Sequence, residues 1–501
     1  MRTYTAFVVS FLLAIAWPLV VTPAFASQGK ASQLKDRADV QLQALRERLD
    51  QILSDPGLSG AWIGARVISV DTGRVLYAIN PDKRFVPASN MKLFTAAAAL
   101  DVLGPDFRFV TRVVSGGRPS GGVLEGDLYL VGGGDPTVLP QTLEELAAAF
   151  ARTSGVRKVT GRLVADDTWF DDIRLGEDWL WDDEPSWTTP QISALTLAPN
   201  EDFDVGTVIV EVRGTTPGRP AEVHLVPDNA YVTLDARVVT GAEGGARDVS
   251  FTREHGTNRI IVSGTLPPGA TARQWVTVWE PTLYAADVFR LALERAGVRV
   301  EGPTVRGHAP EKARQVEWAR RQSPPLSDIL VVMLKLSNNG IAETLVKTMG
   351  AVRRGEGSWK AGLDVMRDSL RSMGIDPSAM LLRDGSGKSH SDLVTPAQVT
   401  QLLAAMWPHP HKEPFYRALP VAGAPDRLVG GTLRSRMRGT LAEGNARAKT
   451  GSLTAVHSLS GYVRTRRGEL LAFSMLFNHY LGPDPVAVED GVVAALAAFD
   501  G

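Results

Sequence analysis

The sequence predicts a mixed α/β (α+β) fold in which an antiparallel sheet covered by helices is assembled from both ends of the chain. Three observations carry that expectation. An amphipathic helical run followed by a hairpin lies near the start, and an antiparallel meander followed by a helix lies at the end. Between them, from about residue 107, short strand-like runs alternate with turns. At 501 residues the chain has room for about two to four domains with ample core.

Residues 34–53 place Val40, Leu42, Leu45, Leu49 and Ile52 at helical spacing. Residues 62–70 and 74–77 read as strands joined around Asp71-Thr72-Gly73, a hairpin signal. Pro87 then fixes the approach to a helix on which Leu93, Phe94, Ala97, Leu100 and Leu103 recur until Gly104-Pro105 stops it. In the middle stretch, strands are expected over 107–114, 127–131, 162–166, 207–212, 231–239 and 259–262, with helices over 141–153 and 282–296. Residues 326–349 read as helix, interrupted at Ser337-Asn338-Asn339-Gly340, whose residues suit a turn better than a helix interior. Helices over 359–373 and 396–406 follow. Strands opening at Arg447 and running over 459–464 and 469–477 form the meander, and 485–499 closes as helix. The meander matches the sheet begun near Trp62, so residues 107–319 read as inserted material.

Ser89 and Lys92 stand three apart at the start of the helix after Pro87, so both side chains emerge on one face. A desolvated lysine amine can be neutral at working pH and take the serine proton, and a helix N-terminus favours the negative charge that develops. Ser-x-x-Lys alone is weak, since it also occurs at Ser27/Lys30 and Ser32/Lys35. The copy at Ser89 stands out by its companions, Ser337-x-Asn339 and Lys449-Thr450-Gly451, each of which occurs once.

Composition narrows the classes. Acidic and basic residues nearly cancel, 55 against 54, which points to neither nucleic acid nor an anionic membrane as partner. Cysteine is absent, which excludes thiol catalysis, disulfides and cysteine-ligated metal. Arg2, the apolar run 6–21 and Ala24-Phe25-Ala26 read as an export signal cleaved after Ala26, against an uncleaved anchor for which the run is short. Residue 27 is serine, so the acylated cysteine of a lipoprotein is missing. The mature protein is expected to be exported, either periplasmic or extracellular and associated with the cell wall, without an integral membrane span.

Several weaker motifs fall away. Gly132-Gly133-Gly134-Asp135-Pro136 lacks the Gly-Lys-Ser/Thr of a phosphate cradle, and Gly387-Lys388-Ser389 has Leu382 where a Walker loop needs glycine. His409 and His411 sit among prolines, which favours a solvated loop over a metal site. Four tryptophans and many carboxylates between Trp169 and Trp187 read either as a loop covering a site or as aromatics packing a domain interface.

Ser-x-x-Lys, Ser-x-Asn and Lys-Thr-Gly in that order form the three-part signature of penicillin-recognising serine enzymes. With the runs from Gly126, Asp384 and Gly444, the chain resembles the D-alanyl-D-alanine carboxypeptidase/endopeptidase family, the class C low-molecular-mass penicillin-binding proteins. The resemblance implies a transpeptidase/β-lactamase-like domain over 27–106 and 320–501. It would be split by one inserted domain over 107–205 and 279–319 and by a second, β-rich one over 206–278. It implies Ser89 as nucleophile, Lys92 as acylation base, Ser337 as proton relay, Asn339 as the holder of Lys92 and the substrate amide, and Lys449 as the source of positive potential that depresses the Lys92 pKa. Thr450 would attract the substrate carboxylate, while the N–H groups of Ser89 and Ser452, around Gly451, would form the oxyanion hole. Where relatives continue Asp-Gly-Ser-Gly with Leu-Ser-Arg, this chain has Lys388-Ser389-His390, so His390 bears on side-chain preference, and Asp182 is a candidate partner for a substrate amine. Peptidoglycan stem peptides are the implied substrates and β-lactams the implied covalent inhibitors, with no metal or organic cofactor. Two other readings remain open on these residues: a β-lactamase or esterase, and a non-catalytic wall-binding protein.

Overall fold

Both ends of the chain meet in one five-stranded antiparallel sheet. Its order is Arg447–Leu453, Val456–Arg464, Leu470–Asn478, Trp62–Ser69 and Val75–Ile79. The protein is seen in a computed structural model that describes Met1, Ala6 and residues 25–500, with side chains from residue 39 onward apart from Met1 and Ala6. The expected signal peptide over residues 1–26 lies outside the described residues, save for Met1, Ala6 and the first two residues of the helix Phe25–Leu53. No helix among the described residues is long and apolar enough to cross a membrane.

The two central strands, Val456–Arg464 and Leu470–Asn478, are buried along nearly their whole length because helices cover both faces. On one face Leu45 and Leu49 of Phe25–Leu53 and Val493 and Leu496 of Val486–Ala497 pack on Val67, Phe473 and Phe477. On the other, Ile68, Tyr462 and Leu476 meet Phe94 and Leu100 of Met91–Leu103 and Leu402 of Pro396–Met406. The helix Met91–Leu103 is apolar on most of its surface, which fits a helix packed into protein over most of its length: Met91 to Leu100 are all buried, and only its last turn, with the exposed Asp101, reaches solvent. It stops where expected: the Gly104 N–H bonds the Leu100 carbonyl at a φ of 81°.

The stretch between the two halves pairs its strands differently from the catalytic sheet. Leu128–Val131, Leu163–Asp166 and Thr304–Arg306 pair in parallel, while Val110–Ser115 and Val316–Gln322 complete that sheet in antiparallel fashion. Parallel neighbours need a long crossover, and the helix Pro140–Ser154 supplies the first one. Two three-stranded sheets occupy residues 207–277. Their Val208, Val210 and Val276 join Leu130, Phe150 and Phe289 in one continuous core.

The segment before the nucleophile helix is tied to the far end of the chain by one side chain. Asn478, at the end of its strand, accepts from the Val86 N–H at 2.8 Å and donates to the Val86 carbonyl at 3.1 Å. Replacing it with alanine leaves those groups without their partner. Asn478→Ala is expected to lower unfolding stability by about 1–3 kcal/mol, read as a shift of the urea midpoint at constant slope. An unchanged midpoint would show that the tie is dispensable.

Candidate active site

Ser89 sits on a tight turn, Ala88–Asn90, directly before the helix Met91–Leu103, rather than on the first helical turn itself. The turn is strained: Ala88 adopts a φ of 46°, in the left-handed region that β-carbon residues avoid. Of residues 87–91 only Ser89 keeps access to solvent. The turn is latched to the edge of the sheet. Asn90 Nδ2 donates to the Lys449 carbonyl at 3.2 Å and to Ser458 Oγ, which in turn donates to the Pro87 carbonyl at 2.8 Å.

One helical turn along, Lys92 is fully buried, and its Nζ lies 2.8 Å from Ser89 Oγ. The amine also meets Asn339 Oδ1 at 2.6 Å and the Ser386 carbonyl at 2.8 Å. Burial brings the Lys92 pKa down from the usual 10.5 to about 7; Asp384 and Glu343 oppose the fall and Lys388 adds to it. Lys388 is thus a cation acting on Lys92 beside Lys449, the residue expected from the sequence to do that work; the repulsion between the two buried lysines is mutual. Lys449 is itself held well below the ordinary lysine range, by burial first and by Lys92 second.

The Ser-x-Asn segment lies between two helices, Leu326–Lys335 and Asn339–Arg354, so the break falls at 336–338, slightly earlier than expected. Asn338 caps the second helix by accepting from Ile341 N–H at 2.9 Å. Ser337 has a φ of 61°, a second strained residue at the cleft. Its Oγ accepts from Lys449 Nζ at 2.9 Å. The amide of Asn339 is oriented from the inserted stretch: its Nδ2 donates to the Thr188 carbonyl at 2.7 Å, which leaves Oδ1 facing Lys92.

Lys449-Thr450-Gly451-Ser452 runs along the edge strand of the sheet, where an added strand could pair, although the Thr450 carbonyl already accepts from Lys449 Nζ at 2.7 Å. A β-carbon at Gly451 would lie 2.8 Å from the Ser89 nitrogen, 2.9 Å from the Pro87 carbonyl oxygen and against Ser458 Oγ. Only glycine lets the strand approach the nucleophile turn this closely. Thr450 Oγ1 donates to Thr432 Oγ1 at 2.9 Å, and Ser452 is exposed. Beside Thr432 and Leu336 opens a cavity of about 320 Å³, which Trp187, Asp204 and Trp275 of the inserted stretch also line.

Asp182 and His390 stand apart from this cluster. Asp182 is exposed and makes no hydrogen bond or ion pair among the described residues, whereas its neighbour Asp183 pairs with Lys388. His390 is partly buried; burial first, then Lys388, lowers its pKa, and Asp183 opposes. The tryptophan segment divides between its two readings. Trp179 Nε1 donates to Asp384 Oδ2 at 2.8 Å, and Trp169 packs on the catalytic core. Trp181 and Trp187 remain exposed. Sequence reasoning missed Thr188, Thr432, Ser458 and Glu343, single polar residues without a motif of their own.

Comparison with known proteins places the chain in a family. The model of the D-Ala-D-Ala carboxypeptidase 3 (S13) family matches residues 45–499. The chain belongs to that family. A D-alanyl-D-alanine carboxypeptidase from Actinomadura sp. (strain R39) is 46% identical over 94% of this chain and 88% of its own length. The D-alanyl-D-alanine carboxypeptidase DacB of Haemophilus influenzae is 27% identical over 94% and 92%. The crystal structure of penicillin binding protein 4 (dacB) from Haemophilus influenzae superposes with a TM-score of 0.76 at 25% identity, covering 89% of this chain and 97% of its own. The mixed α/β fold and the D-Ala-D-Ala carboxypeptidase activity expected from the sequence are those of this family.

Gly451→Ala places a methyl group between the edge strand and the nucleophile turn. The variant is expected to keep its circular dichroism spectrum and to lose about 10²-fold or more in kcat on a peptide ending in D-Ala-D-Ala, the scale of one oxyanion donor. Retention of wild-type kcat would show that the close approach is not needed.

Proposed function

We propose that this D-Ala-D-Ala carboxypeptidase works on peptidoglycan stem peptides outside the cytoplasm through an acyl-enzyme on Ser89. The observation that carries the reading is the pair of contacts across one cleft, Ser89 Oγ to Lys92 Nζ at 2.8 Å and Ser337 Oγ to Lys449 Nζ at 2.9 Å. Ser89 Oγ attacks the carbonyl between the two D-alanines as its proton passes to the neutral Lys92 amine. The N–H groups of Ser89 and Ser452 hold the oxyanion, at roughly 3–4 kcal/mol for each donor. Collapse breaks the amide bond, and Ser337 relays a proton to the departing amine. Lys449, Thr450 and Thr432 hold the terminal carboxylate, whose negative charge favours the Lys449 ammonium that burial and Lys92 disfavour. Water then attacks the acyl-enzyme, returning Ser89 and releasing the shortened peptide.

The same attack opens a β-lactam ring. Its leaving amine stays tethered, so the adduct persists. Asp182 and His390, outside the cluster, would meet the substrate's side chain. In this reading residues 27–106 and 320–501 form the catalytic domain. Residues 107–205 with 279–319 form one inserted domain and 206–278 a second, the two sharing one core. The cavity beside Thr432 favours crosslinked peptides as further substrates. The methyl of a leaving D-alanine fills little of its roughly 320 Å³, whereas a longer leaving residue carrying a peptide would occupy it.

Incubation with a fluorescent penicillin followed by mass spectrometry is expected to give one lasting adduct, on the peptide containing Ser89. A fast-released label would indicate a β-lactamase, and an adduct elsewhere would displace Ser89. The acylation rate should fall as pH drops through about 7, where Lys92 takes up its proton. Lys92→Ala should slow acylation by about 10²–10⁴-fold. Near-wild-type acylation in that variant would assign the base elsewhere.

A further inference from the structure

Behind Lys92, away from the cleft, lies a buried carboxylate that the mechanism above does not use. Glu343 stands one turn after Asn339 on the helix Asn339–Arg354 and is fully buried. It accepts three hydrogen bonds: from Gly385 N–H at 2.9 Å, from Ser386 N–H at 2.7 Å and from Trp359 Nε1 at 2.7 Å. Two of these donors belong to the turn that presents the Ser386 carbonyl to Lys92 Nζ. The third comes from the neighbouring helix Trp359–Ser372. Of the three oxygens around the Lys92 amine, Asn339 Oδ1 is carried on the helix of Glu343, and the Ser386 carbonyl is seated by the Glu343 carboxylate.

We infer that Glu343 is a positioning residue for acylation, which seats the Asp384-Gly385-Ser386 turn against Lys92 and sets the charge facing its amine from behind. The inference rests on Lys92 as the base proposed above.

The charged groups around it give the sign. Lys92 is faced by Glu343 on its own packing helix, by Asp384 and Lys388 on the loop, and by Lys449 on the edge strand. Burial, and then Asp384, pushes the Glu343 carboxyl up to about 7; the donated hydrogen bonds from Ser386, Trp359 and Gly385 oppose that rise. Asp392, behind Asp384, is pushed well above the carboxylate range by burial and by Asp384. Lys347, one turn further along the helix, pairs with Asp171 at 2.6 Å and lies 3.9 Å above the Trp359 ring. Lys388 is paired with Asp183 from the inserted stretch. Negative charge on Glu343 favours the Lys92 ammonium. Removing that charge lets Lys92 lose its proton at lower pH, and removing a donor to Glu343 acts in the same direction more weakly.

The test is the pH profile of kcat/KM on a D-Ala-D-Ala peptide for the wild type, Glu343→Gln and Trp359→Phe. Glu343→Gln is expected to move the acid limb to lower pH by about half a unit or more and to lower kcat by about tenfold, with KM little changed because Glu343 touches no substrate. Trp359→Phe, which keeps an aromatic ring beneath Lys347, should move the limb the same way by less. If Glu343→Gln does not fold, Trp359→Phe carries the test alone. Loss of melting temperature and of kcat with an unmoved acid limb would overturn the inference and make Glu343 a structural anchor. Should the limb survive in the residual activity of Lys92→Ala, the assignment of the base would fail instead.

Discussion

An ammonium group taken wholly out of water is the constraint on which the site depends. Lys92 is fully buried, and a lysine so placed holds its proton weakly unless carboxylates lie close by. Asp384 and Glu343 are near enough to restrain the fall but do not cancel it. The amine therefore stands near neutrality with a serine hydroxyl 2.8 Å away. Base and nucleophile are prepared before any substrate arrives.

The rest of the architecture keeps that amine in place. The helix that carries it is buried from Met91 to Leu100, and the turn that carries Ser89 is pinned to the edge strand through Asn90 and to the next strand through Ser458. The stretch between the two halves of the catalytic sheet reaches back into the site. Thr188 orients Asn339, the carbonyls of Asp202 and Phe203 receive the Asn338 amide, and Trp179 bonds Asp384. A chain interrupted by more than two hundred residues thus uses the interruption to complete its own cleft.

Much of this was legible in the amino-acid order, and the reason is physical. Leu470–Asn478 is apolar on both faces because helices cover both, so it reads as an unbroken run, and Gly104-Pro105 ends the nucleophile helix as glycine and proline must. Ser89 and Lys92 stand at a spacing that puts both on one face, and Ser337, Asn339 and Lys449 were found because the three motifs in order resemble the signature of penicillin-recognising serine enzymes; the structure brings all five around one cleft. Asp248–Arg253 and Thr271–Thr277 were not singled out within the β-rich stretch, although exposed and covered residues alternate along Asp248–Arg253 and the start of Thr271–Thr277; the covered positions include Arg253 and Gln274, which a hydrophobic pattern does not count. The parallel pairing of Leu128–Val131 with Leu163–Asp166 is a long-range choice that no local pattern states. Glu343 and Lys388 act through neighbours distant in sequence, so nothing in their own surroundings marks them.

The central claim is that a large share of the Lys92 amine, about half, is neutral near pH 7, and it can be read directly. Heteronuclear NMR of lysine-labelled enzyme, with the resonance assigned by comparison with Lys92→Ala, follows the titration of that one Nζ. The account predicts a midpoint at about 7. A midpoint at the ordinary lysine value would mean that a charged amine faces Ser89, and the nucleophile would need another base.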